Sequence, residues 1–302
     1  MNLKELSDKF IEYCKVRKNL NSKTIKAYKI DLQQFRTFVE DELSKESLCN
    51  YISNLNIMYK PKSVRRKIAT IKAFVHFLII DDYIDSNPFD KLGITMKEPL
   101  ILPKIIPFEV IQKIFVQAYL EFHNAKSEYQ KKSSARDIAV LELLFATGAR
   151  VSEICFLKLQ SIDMISHTIK IYGKGSRERI IQIENEGVLS ALQTYLDLFS
   201  GDIKESGYIF INKLHNRLTD QSVRNMLKRY ATAVHYENRI TPHMFRHSFA
   251  TFLLEEDVDI RYIQKMLGHS SIATTQIYTY VSMSKQKAIL ATKHPRNKMV
   301  IK

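Results

Sequence analysis

Residues 241–280 read TPHMFRHSFATFLLEEDVDIRYIQKMLGHSSIATTQIYTY, and this stretch decides how the second half of the chain folds. Thr241-Pro242 is a typical helix start, because a capping residue is followed by proline at the first helical position. A second amphipathic helix is predicted over 260–267, closed by Gly268. Separate helices can therefore bring two histidines, an arginine and a tyrosine to one point, namely His243, His269, Arg246 and Tyr278. Cations and a phenol at one point suit attack on a phosphodiester.

Composition narrows the class of protein. The 302 residues are enough for two domains, and 45% hydrophobic residues can fill their cores. No run of about 18 apolar residues occurs and the N-terminus is charged, so we expect neither a membrane span nor a secretory signal. Three widely spaced cysteines fit a reduced, cytoplasmic protein. The net charge of +14, spread through both halves, favours a polyanionic partner, although lysine-rich codon usage would also raise it.

The first 95 residues predict a helical domain. Apolar residues recur at helical spacing over 3–13 and 25–38, and a shorter helix is expected over 45–55. A fourth helix is expected to begin after Pro61-Lys62-Ser63 and to run to about Ile80. Four helices of this size make a small domain. Prolines then cluster as far as Pro107, so we place the interdomain linker at 96–107.

Residues 108–302 predict a helical body that carries a small sheet. Helices are expected over 108–122 and 135–146, with a polar stretch between them. The clear β signal is a hairpin, in which 168–172 and 179–183 flank the turn 173–176. The predicted fold class is therefore mainly α, with one small antiparallel β-sheet in the second domain.

Arg150 and Lys174 carry chemistry outside the opening stretch. Arg150 follows Gly148, which we expect to end a helix in the left-handed conformation. A guanidinium there suits phosphate, because it stays charged and donates two parallel hydrogen bonds; a salt bridge to Glu153 is the competing interpretation. Lys174 lies in the hairpin turn and could approach a leaving oxygen as a general acid, although lysine is also ordinary at an exposed tip.

His243 and His247 share one helix face with Arg246. Two histidines four residues apart can bind a metal, but the glutamate of HExxH is absent and no third ligand is evident, so no metal site is predicted. We interpret His247 as a structural, hydrogen-bonded histidine. Tyr280 competes with Tyr278 for a chemical role, because the two lie only two residues apart and point in roughly opposite directions.

Three blocks of sequence resemble one known family. They are TGARVSE at 147–153, GKGSRER at 173–179, and the stretch 243–281. Together they are similar to the signature blocks of the tyrosine recombinase (phage-type integrase) family, with a layout most like Xer-type and related mobile-element recombinases. The resemblance implies a four-helix, SAM-like core-binding domain and a mostly helical catalytic domain, closing as a C-shaped clamp around DNA.

The resemblance also implies a role for each matching position. The position of the family's nucleophile is Tyr278, and the two phosphate-clamping arginines are Arg150 and Arg246. The two histidine-type positions are His243 and His269. The hairpin lysine that protonates the leaving 5′-oxygen is Lys174, and the acidic residue supporting the first arginine is Glu153. The implied reaction forms a 3′-phosphotyrosyl link and exchanges strands through a Holliday junction, with no cofactor. Asp257 stands where the family commonly has glycine; aspartate tolerates the left-handed region, so we expect the turn to persist.

The expected partner is double-stranded DNA carrying a specific recombination site, and no membrane. The resemblance implies a homo-tetramer on two sites, with or without a related recombinase or accessory factor, in which the tail 282–302 docks on a neighbouring protomer. The enzyme would be cytoplasmic and associated with the nucleoid. The candidate DNA contacts are Lys62, Arg65, Arg66, Lys67 and Arg177, the first four forming the densest basic cluster of the N-terminal domain.

Three other functions stay open on sequence alone. A type IB topoisomerase-like relaxase uses the same chemistry without bringing two sites together. A DNA-binding architectural protein could carry the site as a vestige. A metal nuclease could use His243 and His247.

Overall fold

The computed structural model describes residues 2–40, 43–90, 92–93, 103–173, 178–269, 271–276 and 278. The chain forms two compact units, 1–100 and 101–302, and the division lies within the predicted linker. The end of that linker belongs to the second unit, because Ile106 is fully buried there and its N–H donates to Ser248 Oγ at 2.8 Å. No helix in the described part of the chain is both long and apolar enough to cross a membrane.

Four helices make up the first unit: α1 (Leu3–Val16), α2 (Ser22–Val39), α3 (Lys45–Met58) and α4 (Pro61–Ile80). Short polar side chains cap the first three, as expected for N-caps. Asn21 Oδ1 accepts the N–H of Thr24 at 2.9 Å, and Ser44 forms a capping box with Ser47. Proline opens α4, where its missing N–H costs nothing. The four apolar faces enclose one core, built around Phe10, Phe35 and Phe74.

A buried carboxylate ties α2 to α4. Asp31 is fully buried, and its two oxygens take the ammonium of Lys67 at 3.1 Å, the hydroxyl of Thr70 at 2.9 Å and the guanidinium of Arg66. The interpretation of Lys67 as a phosphate contact is therefore wrong. Its side chain is only 3% exposed, because the buried Asp31 needs a buried counter-charge.

The second unit holds nine more helices among the described residues: α5 (Phe108–His123), α6 (Glu128–Thr147), α7 (Val151–Cys155), α8 (Glu186–Leu198), α9 (Ser200–Ser206), α10 (Asp220–Ala233), α11 (Pro242–Glu255), α12 (Ile260–Leu267) and α13 (Ala273–Gln276). Helix α6 is longer than predicted, since Ser127 caps it by accepting the N–H of Gln130 at 3.2 Å. The polar residues that suggested a loop are its first two turns. Residues of α6 such as Ala139, Val140 and Leu141 are fully buried, which places this helix at the centre of the core.

Three strands form the sheet: β1 (Ile162–Asp163), β2 (Thr168–Tyr172) and β3 (Glu178–Gln182). They pair antiparallel in the order β1-β2-β3, with Ile169 opposite Ile181. The hairpin β2–β3 confirms the sequence prediction. Strand β1 was not predicted, because two residues are too few for a periodic pattern.

Candidate active site

Gly148 makes the sharp junction between α6 and α7. It has φ +56°, the left-handed conformation predicted for it, and the hydroxyl of Thr147 accepts the N–H of Ala149 at 3.1 Å. The chain re-enters a helix at Val151, so Arg150 occupies the last position before α7. This turn projects Arg150 from the end of a core helix.

Glu153 is the buried carboxylate that orients two arginines. Its Oε1 accepts from the guanidinium of Arg150 at 2.8 Å, and its Oε2 accepts from that residue's own N–H at 2.9 Å. Arg179 of β3 donates to both oxygens, at 3.3 and 2.6 Å. Burial alone would raise the pKa of Glu153, but the hydrogen bonds from Arg179 and Arg150 outweigh it, so its pKa lies below the ordinary value. Glu153 stays ionised at neutral pH and holds Arg150 in place.

Arg179 was not predicted as a site residue. Its side chain is 11% exposed, and its Nε also donates to the carbonyl of Met266 at 2.8 Å. The available signal was strand alternation: Arg179 shares a strand face with the buried Ile181. An arginine on the core face of a strand needs a buried acceptor, and Glu153 provides it.

Arg246 connects the C-terminal ends of two helices. Its side chain is buried, and its two terminal nitrogens donate to the carbonyls of Gly148 at 2.8 Å and Leu267 at 2.7 Å. Helix C-termini carry partial negative charge, so a cation is stabilised there. Burial and the nearby Arg150 lower the pKa of Arg246 to about 10, which still leaves it charged at neutral pH.

Tyr278 lies among these cations. Its ring is 2% exposed and packs with Ala250, Ile263 and Leu267. Burial raises the pKa of its hydroxyl, and the positive charges of Arg246 and Arg150 offset part of that rise. The phenol is thus neutral at rest and surrounded by groups that favour its anion.

His247 contacts the Tyr278 hydroxyl directly. Its Nδ1 lies 3.0 Å from Oη, and the two rings are 5.5 Å apart. Burial, then the neighbouring His243 and Arg246, lower the pKa of His247 to about 4, so the ring is neutral at pH 7. The prediction of a hydrogen-bonded histidine is confirmed, but its partner is the candidate nucleophile, which the spacing of His243 and His247 did not indicate.

His269 follows the left-handed Gly268, which closes α12 with φ +65°. Its Nδ1 lies 2.9 Å from the hydroxyl of Thr275, and its ring is 6.5 Å from that of Tyr278. Burial, then Arg246 and Arg150, lower the pKa of His269 to about 4. A second neutral imidazole therefore flanks the phenol. Asp257 has φ +63°, which confirms that the turn before α12 persists with aspartate.

The structure thus brings Arg150, Glu153, Arg246, His269 and Tyr278 to one place. His243 is exposed on the first turn of α11, with its ring 6.5 Å from that of His247. Several predicted positions lie outside the described residues: Lys174, Arg177, Tyr280 and the tail 282–302.

Substituting Gly148 by alanine should destabilise the second unit by about 2–5 kcal/mol, the sum of left-handed strain and overpacking. A Cβ there would lie 2.5 Å from Phe249 Cδ1 and 2.8 Å from Leu267 Cδ2. Gly207 is a matched control, because it has φ +72° and nothing within 4 Å of a Cβ. Chemical denaturation should show a clearly larger loss for Gly148→Ala than for Gly207→Ala. Equal losses would mean that the close approach of α11 and α12 to this turn is not as described.

Comparison with known proteins identifies the family of the chain. The phage integrase family matches residues 115–285, and the N-terminal SAM-like domain of phage integrases matches 8–81. The fold and site define an enzyme that exchanges DNA strands through an active-site tyrosine. The chain belongs to the phage integrase family of tyrosine recombinases.

The matches to two relatives cover nearly the whole length of both chains. The chain is 50% identical to a tyrosine recombinase of Agathobacter rectalis over 299 residues, with 98% of each chain covered. It is 35% identical to the tyrosine recombinase XerC of Leptospira interrogans, covering 97% of this chain and 94% of that one. In fold it is similar to the XerH site-specific recombinase bound to palindromic difH substrate in a post-cleavage complex, with a TM-score of 0.75, 20% identity, and 95% and 84% of the two chains covered.

Proposed function

We propose that this protein is a site-specific recombinase that cuts and rejoins duplex DNA, with Tyr278 as the nucleophile. The observation that carries the proposal is the position of the Tyr278 hydroxyl, 3.0 Å from a neutral imidazole and beside two guanidinium groups. A phenol titrates near 10 in water and is a poor nucleophile at neutral pH. The surrounding cations would stabilise both its anion and a bound phosphodiester.

The chemistry follows from the charges. Tyr278 Oη attacks the scissile phosphorus, forming a 3′-phosphotyrosyl bond and releasing the 5′-oxygen. Arg150 and Arg246 neutralise the non-bridging oxygens, while Glu153 holds Arg150. Lys174 is our candidate for protonating the 5′-oxygen. The 5′-hydroxyl of a partner duplex then attacks the phosphotyrosyl bond, and a second round through a Holliday junction completes the exchange.

On the N-terminal unit, we propose that Lys62, Arg65 and Arg66 contact DNA phosphates. All three are exposed near the start of α4, and Arg66 is 49% exposed even though it pairs with Asp31. Log affinity falls linearly with log salt, and each lost phosphate contact should reduce the magnitude of this slope by about 0.9. Lys62→Ala and Arg65→Ala should show this decrease in salt-titrated binding, while Lys9→Ala, which removes a lysine paired with Glu5, should not. Unchanged slopes for Lys62→Ala and Arg65→Ala would contradict this surface.

We propose further that the active assembly is a homo-tetramer on two DNA sites, acting in the cytoplasm. The support is resemblance: similar proteins are named XerC, and the similar XerH structure holds a difH substrate. The tail 282–302 is the segment we expect to join neighbouring protomers. The proposal includes a tetramer that works with or without a related recombinase or accessory factor. Mass photometry of the synapsed complex should give four protomers per two duplexes, and a synapsed complex of two protomers would contradict this.

The test of function is a trapping assay. Duplexes bound by the full-length protein are first enriched from a random DNA library, and suicide substrates are then built on the enriched sequence with nicks that let the cleaved fragment diffuse away. In EDTA, we expect a denaturant-resistant protein–DNA adduct whose peptide map places the phosphate on Tyr278. Two such sites on one plasmid should recombine.

The rival functions give different results in this assay. A relaxase would form the adduct and relax a supercoiled plasmid, yet leave two sites unexchanged. An architectural protein would bind the enriched duplex without any adduct. A metal nuclease would cut only without EDTA and leave no covalent protein. Any of these three results would overturn the proposal.

A further inference from the structure

Arg179 is a buried arginine at the edge of the site, and the proposed reaction gives it no role. It lies on β3, and its side chain is 11% exposed. Its Nη1 and Nη2 donate to the two carboxylate oxygens of Glu153 at 3.3 and 2.6 Å, and its Nε donates to the carbonyl of Met266 at 2.8 Å. The end of α12 also comes close, since a Cβ on Gly268 would lie 3.1 Å from Nη1. All three guanidinium nitrogens are therefore fixed by α7 and α12.

Arg150 contacts the same carboxylate through a single guanidinium nitrogen. Its Nη1 donates to Glu153 Oε1 at 2.8 Å, and its side chain remains 34% exposed. Glu153 Oε2 accepts instead from the backbone N–H of Arg150 at 2.9 Å and from Arg179 Nη2. An arginine alone with a carboxylate favours two parallel hydrogen bonds, one to each oxygen. Because Arg179 occupies the second oxygen, the rest of the Arg150 guanidinium is left for another anion.

The charges lead to the same conclusion. Glu153 by itself would cancel the charge of Arg150, and a neutral pair attracts a phosphodiester only weakly. With Arg179 present, two guanidinium groups share one carboxylate, so the three groups together keep one net positive charge. This charge is screened little by salt, because Glu153 and Arg179 are buried and Arg150 is only partly exposed.

We infer that Arg179 is a positioning residue of the proposed recombinase: it occupies the carboxylate of Glu153 and so keeps the guanidinium of Arg150 available to the scissile phosphate. The inference rests on the proposed function. Arg179 acts through Arg150 and forms no bond with the substrate. Without it, Glu153 would bind Arg150 through both oxygens and compete with the phosphate.

Arg179→Gln should slow cleavage far more than it weakens DNA binding. Glutamine keeps a donor but carries no charge, so Glu153 is left with Arg150 as its cation. Losing one preorganised donor costs about 10²–10³-fold, and since Arg150 would be withdrawn but still present, single-turnover adduct formation should fall by about 10–100-fold. The slope of log affinity against log salt should change by at most about 0.9, the value of one phosphate contact.

Arg136 offers a matched control outside the site. It also shares a buried carboxylate with a second arginine, because Asp137 accepts from Arg136 at 2.9 Å and from Arg229 at 2.8 Å. The side chain of Arg136 is 19% exposed, close to the value for Arg179. Arg136→Gln should therefore lower stability by a similar amount in chemical denaturation and leave the cleavage rate unchanged.

The decisive variant removes the carboxylate as well. Glu153→Gln alone should slow cleavage, because it leaves the buried Arg179 without a counter-charge. In the double variant Arg179→Gln/Glu153→Gln, no carboxylate competes for Arg150. Adduct formation should therefore be at least about fivefold faster than with Arg179→Gln alone, a coupling in the range found for residues of one ion-pair network. Two residues that only supported the fold would show losses that accumulate.

An uncharged substrate provides an independent test. A methylphosphonate at the scissile position has a methyl group in place of one non-bridging oxygen, so it needs less neutralisation by Arg150. The deficits of Arg179→Gln and Arg150→Ala, each relative to wild type, should both shrink by about tenfold or more on this substrate. A loosened fold would slow the cleavage of both substrates equally.

Each outcome decides the inference. Wild-type cleavage by Arg179→Gln, equal slowing by Arg136→Gln, a double variant no faster than Arg179→Gln, or an undiminished deficit on the methylphosphonate would overturn it and leave the proposed function standing. A wild-type protein that forms no adduct would overturn the proposed function, and this inference with it.

Discussion

Tyr278→Phe should abolish the covalent protein–DNA adduct, because the substitution removes the one oxygen that would bond to phosphorus. The ring would stay packed with Ala250, Ile263 and Leu267, so we expect the fold to persist. The variant loses one hydrogen bond, to His247, which costs about 0.5–1.5 kcal/mol. Adduct formation on the suicide substrate, measured beside DNA binding, should show complete loss of the first and near-normal levels of the second.

Tyr195→Phe is the matched control for this result. Tyr195 is also fully buried, and its hydroxyl donates to the carbonyl of Ile209 at 2.8 Å, outside the site. That hydroxyl also accepts the N–H of Ile211 at 3.4 Å, so Tyr195→Phe should destabilise the protein at least as much as Tyr278→Phe and leave adduct formation intact. If Tyr278→Phe still formed adduct while Tyr280→Phe did not, the nucleophile would have been assigned to the wrong tyrosine.

Arg246→Lys should slow adduct formation by about 10²–10³-fold, the usual effect of removing one preorganised donor to a developing charge. Lysine keeps the positive charge, but one ammonium cannot reproduce the flat guanidinium that meets the carbonyls of Gly148 and Leu267. Arg246→Ala would also leave both carbonyls unpaired and a void in the core. The lysine variant is therefore the better test, and its loss should appear in the single-turnover rate.

Arg229→Lys serves as the control for that variant. Arg229 also makes two charged contacts, with Glu121 and Asp137, but these lie away from the site residues. We expect it to lose some stability and retain the cleavage rate. Near-normal cleavage by Arg246→Lys would show that the phosphate does not bind at this guanidinium.

Much of this fold can be predicted from the sequence, because local residue patterns determine most of its helices. The four helices of the first unit carry apolar residues at helical spacing, although α4 begins at Pro61, a few residues before its predicted start. The prediction failed where local pattern and tertiary burial disagree. The polar start of α6 looked like a loop, although Ser127 caps it. Lys67 looked like part of a basic surface, although the distant Asp31 draws it into the core.

The site was predicted less completely than the fold. Motif spacing identified the residues that carry charge, and the structure places Arg150, Arg246 and Tyr278 together. Motif spacing did not identify Arg179 or the hydrogen bond of His247, because both depend on which elements pack side by side. Arg179 reaches Glu153 across 26 positions of sequence, and His247 reaches Tyr278 across 31. Contacts of that range leave no periodic trace in a single chain.

The hydrogen bonds of Arg246 to two helix ends affect which site residues can be lost when such an enzyme stops cleaving DNA. A descendant of this chain that gave up cutting DNA could discard the Tyr278 hydroxyl at the cost of one hydrogen bond. It could not discard the Arg246 guanidinium as easily, because α6 and α12 would each lose a partner for a terminal carbonyl. Inactive homologues should therefore retain Arg246 longer than Tyr278. The presence of this arginine in a homologue is poor evidence of activity.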